Sequence, residues 1–306
     1  MKKILITGSN GLLGQKLVKL LKTKSEVEIY ALSKGANRLF NTEGYTYYDI
    51  DLTHFEVLQD CLNEIQPDVI IHTAAMTNVD ACELEQENCD RINVDLVSEI
   101  ASYCKRNDVY MVHLSTDFIF DGNKGSVYKE VDVPNPVNHY GLSKLRSEKV
   151  ITEAGIRCAI LRTILVYGLV DQNDRNNIVL WVKNSLEQGK DINVVTDQLR
   201  MPTFADDLAE ACWLALDKEA NGVFNVSSSV LMSIYDIALA VADLFGLDNK
   251  YIHPVESNAL VLPAKRPFST GFDLNKSILE INLPSYSFRE RAQVFKDQLT
   301  KFEESS

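Results

Sequence analysis

At 306 residues the chain is long enough to bury a substantial core, and its length suggests about two domains. Its 45% hydrophobic and 24% charged residues are ordinary for a globular protein, and no apolar run is long enough to span a bilayer. A net charge of −12 argues against a nucleic-acid surface and requires any anionic substrate to find a local basic pocket.

The first residues, Met1-Lys2-Lys3-Ile4-Leu5-Ile6, imitate a signal peptide only briefly, because Thr7-Gly8 ends the apolar stretch too soon. Residues 3–7 read as a strand. Gly8-Ser9-Asn10-Gly11-Leu12-Leu13-Gly14 follows directly, and Leu13, Leu17, Val18, Leu20 and Leu21 then recur with helical spacing. Strand, glycine turn and helix in that order is the context that gives a glycine motif meaning. Gly8 and Gly11 permit backbone close to a pyrophosphate, and the helix N-terminus supplies donors. A tightly packed turn alone would use the same glycines, but nucleotide binding is the expectation.

Residues 27–32 form a second strand ending in Ser33-Lys34, with Arg38 soon after. An acidic residue at that strand end would hold a ribose 2′-hydroxyl. A hydroxyl followed by a cation suits a 2′-phosphate instead, so NADPH is expected, with NADH as the alternative donor. Residues 45–49 read as a third strand, and a helix follows Asp51-Leu52-Thr53 up to residue 65. Thr53 and Glu56 have the spacing of a capping box. Residues 67–72 are a near-continuous apolar run, the mark of a strand buried on both faces. Thr73-Ala74-Ala75 after it are small enough for a cofactor to lie against backbone. His72 at the strand end is given no catalytic role.

Residues 90–107 read as a helix with Ile92, Leu96, Val97, Ile100 and Cys104 on one stripe. Strand 109–114 delivers Ser115-Thr116 at its carboxyl end, the edge where open α/β sheets bind ligands. After a loop with Pro134 and Pro136, a helix carries Tyr140 and Lys144 on one face and runs to about residue 154. A neighbouring ammonium favours a phenolate, so Lys144 is expected to make Tyr140 a usable proton donor. Ser115 or Thr116 could hold the same substrate oxygen. An ordinary helix surface also presents such Tyr-x-x-x-Lys pairs; the surrounding motifs favour chemistry.

A sixth strand spans 157–162, so strand and helix alternate through the first half, as in a parallel sheet wrapped on both faces. The rest is less regular. Expected there are strands Ile192–Val195 and Gly222–Val226, and a helix over 206–216 with Asp207 and Glu210 spaced as a cap pair. A further helix is capped by Ser233 and closed by Gly246, and a last one covers 288–302. Residues 254–272 are loop-rich and hold Lys265-Arg266-Pro267. Residues 1–168 are expected as the nucleotide domain and 169–306 mainly as a substrate lobe, with the helix near 206–217 returning to the first. Cys61, Cys82, Cys89, Cys104, Cys158 and Cys212 make no CxxC pair, so reduced thiols in the cytoplasm are expected. Cys82 and Cys89 lack a histidine at zinc-site spacing, and no metal is expected.

Taken together, Gly8-x-x-Gly11-x-x-Gly14, Thr73-Ala74-Ala75, Ser115-Thr116-Asp117, Tyr140-x-x-x-Lys144 and Arg162-Thr163…Val166-Tyr167-Gly168 resemble the extended short-chain dehydrogenase/reductases. Within them the chain is most similar to the dTDP-4-dehydrorhamnose reductase family. Residues 67–80, residues 115–122, Val195-Thr196-Asp197-Gln198…Pro202-Thr203 and Arg266-Pro267 carry that likeness nearly end to end. The resemblance implies a Rossmann-type doubly wound parallel sheet with a smaller C-terminal substrate-binding lobe. It also implies NAD(P)H-dependent reduction of a 4-keto-6-deoxysugar nucleotide. Thr116, Tyr140 and Lys144 would be catalytic, with Ser115 the rival of Thr116. Gly8, Asn10, Gly11, Leu12 and Leu13 would line the pyrophosphate, Asp51 and Leu52 the adenine, and Ser33, Lys34 and Arg38 the 2′-phosphate. Thr73, Ala74, Ala75 and Ser115 would complete the cofactor site, and Thr77, Asp117 and Arg266 would meet substrate. A homodimer is expected, without membrane or nucleic-acid partners.

The sequence departs from the family's pattern at three places. Ile164-Leu165 stand where a Trp is common, Arg200-Met201 where the Asp-Gln…Pro-Thr motif has a Gly, and Ser147-Glu148 where Gly-Glu is usual. Phe118 replaces the Glu of related dehydratases, which argues against water elimination. Two alternatives share the motifs: a nucleotide-sugar epimerase that keeps and recycles its cofactor, and a non-catalytic subunit like methionine adenosyltransferase β.

Overall fold

Alternation along the first strand divides the core of this computed structural model, which describes residues 1–172 and 177–304. Ile4 and Ile6 of β1 (Lys2–Thr7) point to one face and Leu5 to the other, all fully buried. The sheet continues with β2 (Val27–Ser33), β3 (Thr46–Asp49), β4 (Val69–His72), β5 (Tyr110–Thr116), β6 (Cys158–Thr163) and β7 (Gly222–Val226). All its pairings are parallel, in the spatial order β7-β6-β5-β4-β1-β2-β3. The order reverses between β1 and β4, which opens a ligand crevice at their carboxyl ends.

In chain order the longer helices are α1 (Leu12–Leu21), α2 (Phe55–Ile65), α3 (Leu96–Asn107), α4 (His139–Ala154), α5 (Ile178–Glu187), α6 (Ala205–Asp217), α7 (Ile234–Phe245) and α8 (Phe288–Glu304). Leu17, Val18 and Leu21 of α1 and Leu208, Ala211 and Cys212 of α6 pack on the Ile4/Ile6 face. Residues of α2, α3 and α4 (Leu58, Leu62, Val97, Ile100, Ile151) cover the Leu5 face. This is the doubly wound parallel sheet expected from the sequence.

A second core joins α5, α7 and α8 through Val182, Ile237, Val241, Phe288 and Phe295, around the parallel ladder of Ile192–Val195 with Ile252–Val255. A smaller cluster of Ile119, Phe120, Tyr128, Ile164, Met201 and Phe272 lies beside the end of β5. Among the described residues no helix is long and apolar enough to cross a membrane.

Several local expectations are corrected. Thr53 and Glu56 form no capping box: α2 begins at Phe55, while Thr53 gives its amide and hydroxyl to Asp51 Oδ1 at 3.0 and 2.7 Å. Asp207 and Glu210 do not cap α6, which starts at Ala205 without a side-chain cap; Asp207 instead pairs with Arg291. The helix expected over 90–107 is present and begins earlier, at Gln86, with a π turn at Arg91–Asp95 set between Gln86–Asp90 and α3. Ser233 does cap α7, in a reciprocal box with Asp236, and Gly246 closes that helix at φ 67°. The sequence reading did not foresee α5.

Candidate active site

The crevice edge begins with the turn after β1. Gly8 sits at φ +71°, and a Cβ there would lie 2.8 Å from the Ala74 amide nitrogen. Only glycine lets the two strand-end turns meet so closely. Thr7 locks them further: its Oγ1 takes the Thr73 amide (3.2 Å), its carbonyl takes the Thr73 hydroxyl (2.7 Å), and Oγ1 bonds His72 Nδ1 (2.8 Å). Gly11 precedes α1 with no side-chain cap, and no carboxylate stands in the first turn. The leading amides of α1 are therefore free of competing protein anions, and the Ser9 hydroxyl beside them is buried without a partner. The loop fits the pyrophosphate of a dinucleotide.

Asn10 is buried under this loop. Its amide donates to Ala36 O (2.9 Å) and Tyr47 Oη (3.0 Å), and its Oδ1 accepts from the Arg38 amide (3.0 Å). It thus shapes the Ser33–Arg38 turn rather than reaching outward. Lys34 and Arg38 are exposed there, with Ser33 half-buried. Lys34 pairs with Asp51 at 2.8 Å, which with the Thr53 bonds holds that carboxyl well below the usual range. The Leu52 side chain belongs to the core, so only its backbone can meet an adenine.

Ser115 and Thr116 end β5 on opposite faces, and their surroundings differ. The Ser115 hydroxyl donates to Glu148 Oε1 at 2.5 Å, and Glu148 takes two bonds from Arg162 at 3.0 and 2.7 Å. That hydroxyl is committed to a buried ion pair, which leaves the Ser115 backbone as its part in the expected cofactor site. Thr116 accepts the Phe118 amide at 3.2 Å and donates to Asp117 Oδ1 at 3.2 Å, and its hydroxyl lies near enough to the Tyr140 phenol to pull the phenol's pKa down. Of the two rivals, Thr116 stands beside the phenol.

Tyr140 lies in the first turn of α4, whose cap Asn138 accepts the Gly141 amide at 2.8 Å and donates to Lys265 O at 2.7 Å. A Cβ on Gly141 would lie 2.1 Å from Phe118 O, so this glycine lets α4 press against the end of β5. Phe118 meets the Tyr140 ring edge-on at 5.8 Å. The expected acidification of the phenol is reversed: burial holds Tyr140 above its ordinary range, the Thr116 bond pulls it down and Asp117 pushes it up. Lys144 contributes little, because burial pulls the ammonium itself down to about 8 and its Nζ lies by His113. A phenol so placed keeps its proton at neutral pH, the form a proton donor requires.

The residues expected to meet substrate fall out differently. Thr77 is exposed at the rim. Asp117 is 2% exposed, accepts from the Thr270 hydroxyl and from the Thr116 hydroxyl (3.2 Å) and lies 3.5 Å from Arg200 Nε, so its carboxylate is engaged within the protein and ties β5 to the second half of the chain. Arg266 is held by both oxygens of Asp80 at 2.6 and 2.7 Å. An incoming anion must therefore share Arg266 with that carboxylate.

The sequence profile of the RmlD substrate binding domain matches residues 1–301. The chain belongs to that family. It is 31% identical over 289 residues to dTDP-4-dehydrorhamnose reductase of Aggregatibacter actinomycetemcomitans, covering 90% of this chain and 92% of that one. Methionine adenosyltransferase 2 subunit beta of Bos taurus is 29% identical over 280 residues, covering 90% and 81%. The solved structure of dTDP-4-dehydrorhamnose reductase from Bacillus anthracis in complex with NADP superposes with a TM-score of 0.82 at 28% identity, covering 97% of this chain and all of that one.

Three side chains in this RmlD-family site escaped the sequence reading. Asn93, in the π turn, bonds the Met76 backbone in both directions (2.8 and 3.0 Å) and the Ser143 hydroxyl (3.0 Å), tying the strand-end loop to α4. Nothing in the local pattern marks a π turn, so the sequence held no signal for it. Asn138 was legible in principle, as an Asn three residues before Gly141 at a helix start. Arg200 was noticed only as a departure. Its guanidinium gathers the carbonyls of Leu199 (2.8 Å), Pro267 (2.8 Å) and Phe268 (3.0 Å) above Asp117.

Proposed function

We propose that this RmlD-family chain reduces the 4-keto group of a 6-deoxysugar nucleotide, with NADPH as the preferred donor. The observation that carries the reading is the placement of Thr116, at the carboxyl end of a central strand, beside the Tyr140 phenol, with Lys144 one helical turn from Tyr140. The NADP complex of the Bacillus anthracis relative supports the choice of cofactor class.

In this reading the amides of Gly11, Leu12 and Leu13 receive the pyrophosphate. Ser33, Lys34 and Arg38 surround the 2′-phosphate, and Thr73, Ala74 and Ala75 present backbone to the cofactor. A reduced nicotinamide, when bound, supplies the hydride that adds to the carbonyl carbon. Tyr140 gives its proton to the oxygen as negative charge develops there, and Thr116 donates a hydrogen bond to the same oxygen. Lys144, charged at neutral pH, holds the nicotinamide ribose. Arg266 takes the substrate diphosphate as Asp80 gives way, a role suited to a bidentate cation in an acidic protein. Phe118, apolar where elimination would need an acid, favours reduction over dehydration.

A second reading, a non-catalytic subunit of a synthetase, is favoured by the 29% identity to the β subunit and by the Asp80 clamp on Arg266. An epimerase would retain stoichiometric NAD on purification. The deciding experiment follows cofactor absorbance with a panel of 4-keto nucleotide sugars, first with NADPH and then with NADH. Oxidation of NADPH supports the reductase. A stable synthetase complex without turnover supports the subunit, and clearly faster use of NADH would remove the 2′-phosphate assignment.

A further inference from the structure

Lys144 is 3% exposed, and among the described residues the carboxylate that acts on its ammonium, Glu148, forms no ion pair with it. Glu148, one turn along α4, is spent on Arg162 and Ser115. Cys89 and His72 also lie near enough to act on it electrostatically, and Tyr140 is one turn back. Among the described residues, the side-chain atom positioned to accept from Nζ is His113 Nε2, at 3.4 Å. His113 is fully buried in β5, its ring stacked 5.5 Å from that of His72 at 10°.

We infer that His113 is a positioning residue for Lys144: its imidazole is neutral, carries its proton on Nδ1, and turns the Nε2 lone pair to the ammonium. The competing tautomer would point an Nε2–H at Ser147 Oγ, 3.0 Å away, and leave the buried ammonium facing another donor. The Ser147 hydroxyl donates to Lys144 O at 2.7 Å, so the assigned tautomer requires it to rotate and donate to Nε2 instead, where Ser147 and Lys144 share that lone pair. The cost is an Nδ1–H without a partner, and His113 Nδ1 is indeed buried and unpaired. The ring beside it is fixed by the same logic. Thr7 Oγ1 accepts both the Thr73 amide (3.2 Å) and the Ala74 amide (3.4 Å), so its proton goes to His72 Nδ1 and His72 carries its own on Nε2, which is also unpaired. Two stacked rings of this kind stay neutral, because both are fully buried and stand beside the Lys144 ammonium. His113 thereby fixes where the remaining Lys144 protons point, toward the crevice that, on the function proposed above, holds the nicotinamide ribose.

The test uses the full chain labelled with 15N-histidine, the His113 signals being those lost in His113→Gln. The expected spectrum has a protonated Nδ1 and a bare Nε2 on His113, unchanged from about pH 6 to about pH 8. A proton on Nε2, or an imidazolium forming near the ordinary histidine midpoint, overturns the inference. NADPH affinity, read by fluorescence, should fall about tenfold or more in His113→Phe and be largely restored in His113→Gln, whose Oε1 can stand for the lone pair. A well-folded His113→Phe that binds NADPH like the parent also overturns it. Failure of the parent itself to bind NADPH would count against the nucleotide reading, and the histidine spectrum would then decide the tautomer by itself.

Discussion

At the scale of single residues, two neighbours on one strand have opposite fates because successive strand side chains point to opposite faces. Ser115 turns toward Glu148 and Arg162, whereas Thr116 turns toward Tyr140. Thr116→Val should therefore lower kcat by roughly tenfold or more, while Ser115→Ala leaves kcat near the parent value and lowers the denaturation midpoint, since it strips one donor from a buried carboxylate. The reverse ranking in steady-state assays would show that the wrong hydroxyl has been placed at the carbonyl. Lys144 gives a pH dependence of definite sign. It is charged below about 8 and neutral above, so NADPH should bind progressively more weakly as pH rises through that value. Titrations between about pH 6.5 and 9.5 that show no weakening would remove the ammonium from the cofactor site.

At the scale of elements, the sequence was most legible where one local rule decides the outcome. The glycine turn between β1 and α1, the buried run of β4 and the Ser233–Gly246 bounds of α7 all follow from side chains within a few positions. It was least legible where distant partners intervene. Thr53 has the spacing of a helix cap but lies nearer to Asp51, which Lys34 draws into the same cluster. Asp117 reads as a substrate ligand beside Thr116, yet Arg200 and Thr270, more than 80 residues on, enclose it. The π turn needs Asn93 to bridge Met76 and Ser143, a relation no local periodicity contains. Two variants probe these junctions. Gly8→Ala forces a Cβ to within 2.8 Å of the Ala74 amide and strains a positive φ, so NADPH affinity should drop about tenfold or more. Asp117→Ala leaves the buried Arg200 without its carboxylate and should cost about 3–5 kcal/mol in urea unfolding. A cost below about 1 kcal/mol would mean that the carbonyls of Pro267 and Phe268 hold Arg200 unaided.

At the scale of the whole molecule, strand and helix alternation announced the sheet, and its order sets the crevice between β1 and β4. The same interior makes stability depend on acid. Burial, with Lys144 adding, lowers His72 from 6.5 to about 3, and burial takes His113 well below 6.5. Unfolded histidines gain protons as pH falls through 6.5 while these two do not. Their contribution is thus complete above that value and is lost at about 1.4 kcal/mol per pH unit for each ring, down to about 3 for His72. Urea unfolding at pH 7.5 and 5.5 should show this decline, with a shallower slope in His113→Gln; equal slopes in parent and variant would mean His113 is not held neutral. The account as a whole rests on Tyr140 delivering a proton to a sugar carbonyl as hydride arrives. Its most direct test is NADPH oxidation with a panel of 4-keto nucleotide sugars, run on the parent and on Tyr140→Phe with NADPH affinity measured for both. The account predicts turnover by the parent, a loss of roughly 10²–10⁴ in the variant and nearly equal affinities; equal turnover in the two, or none by the parent with any sugar, would contradict it.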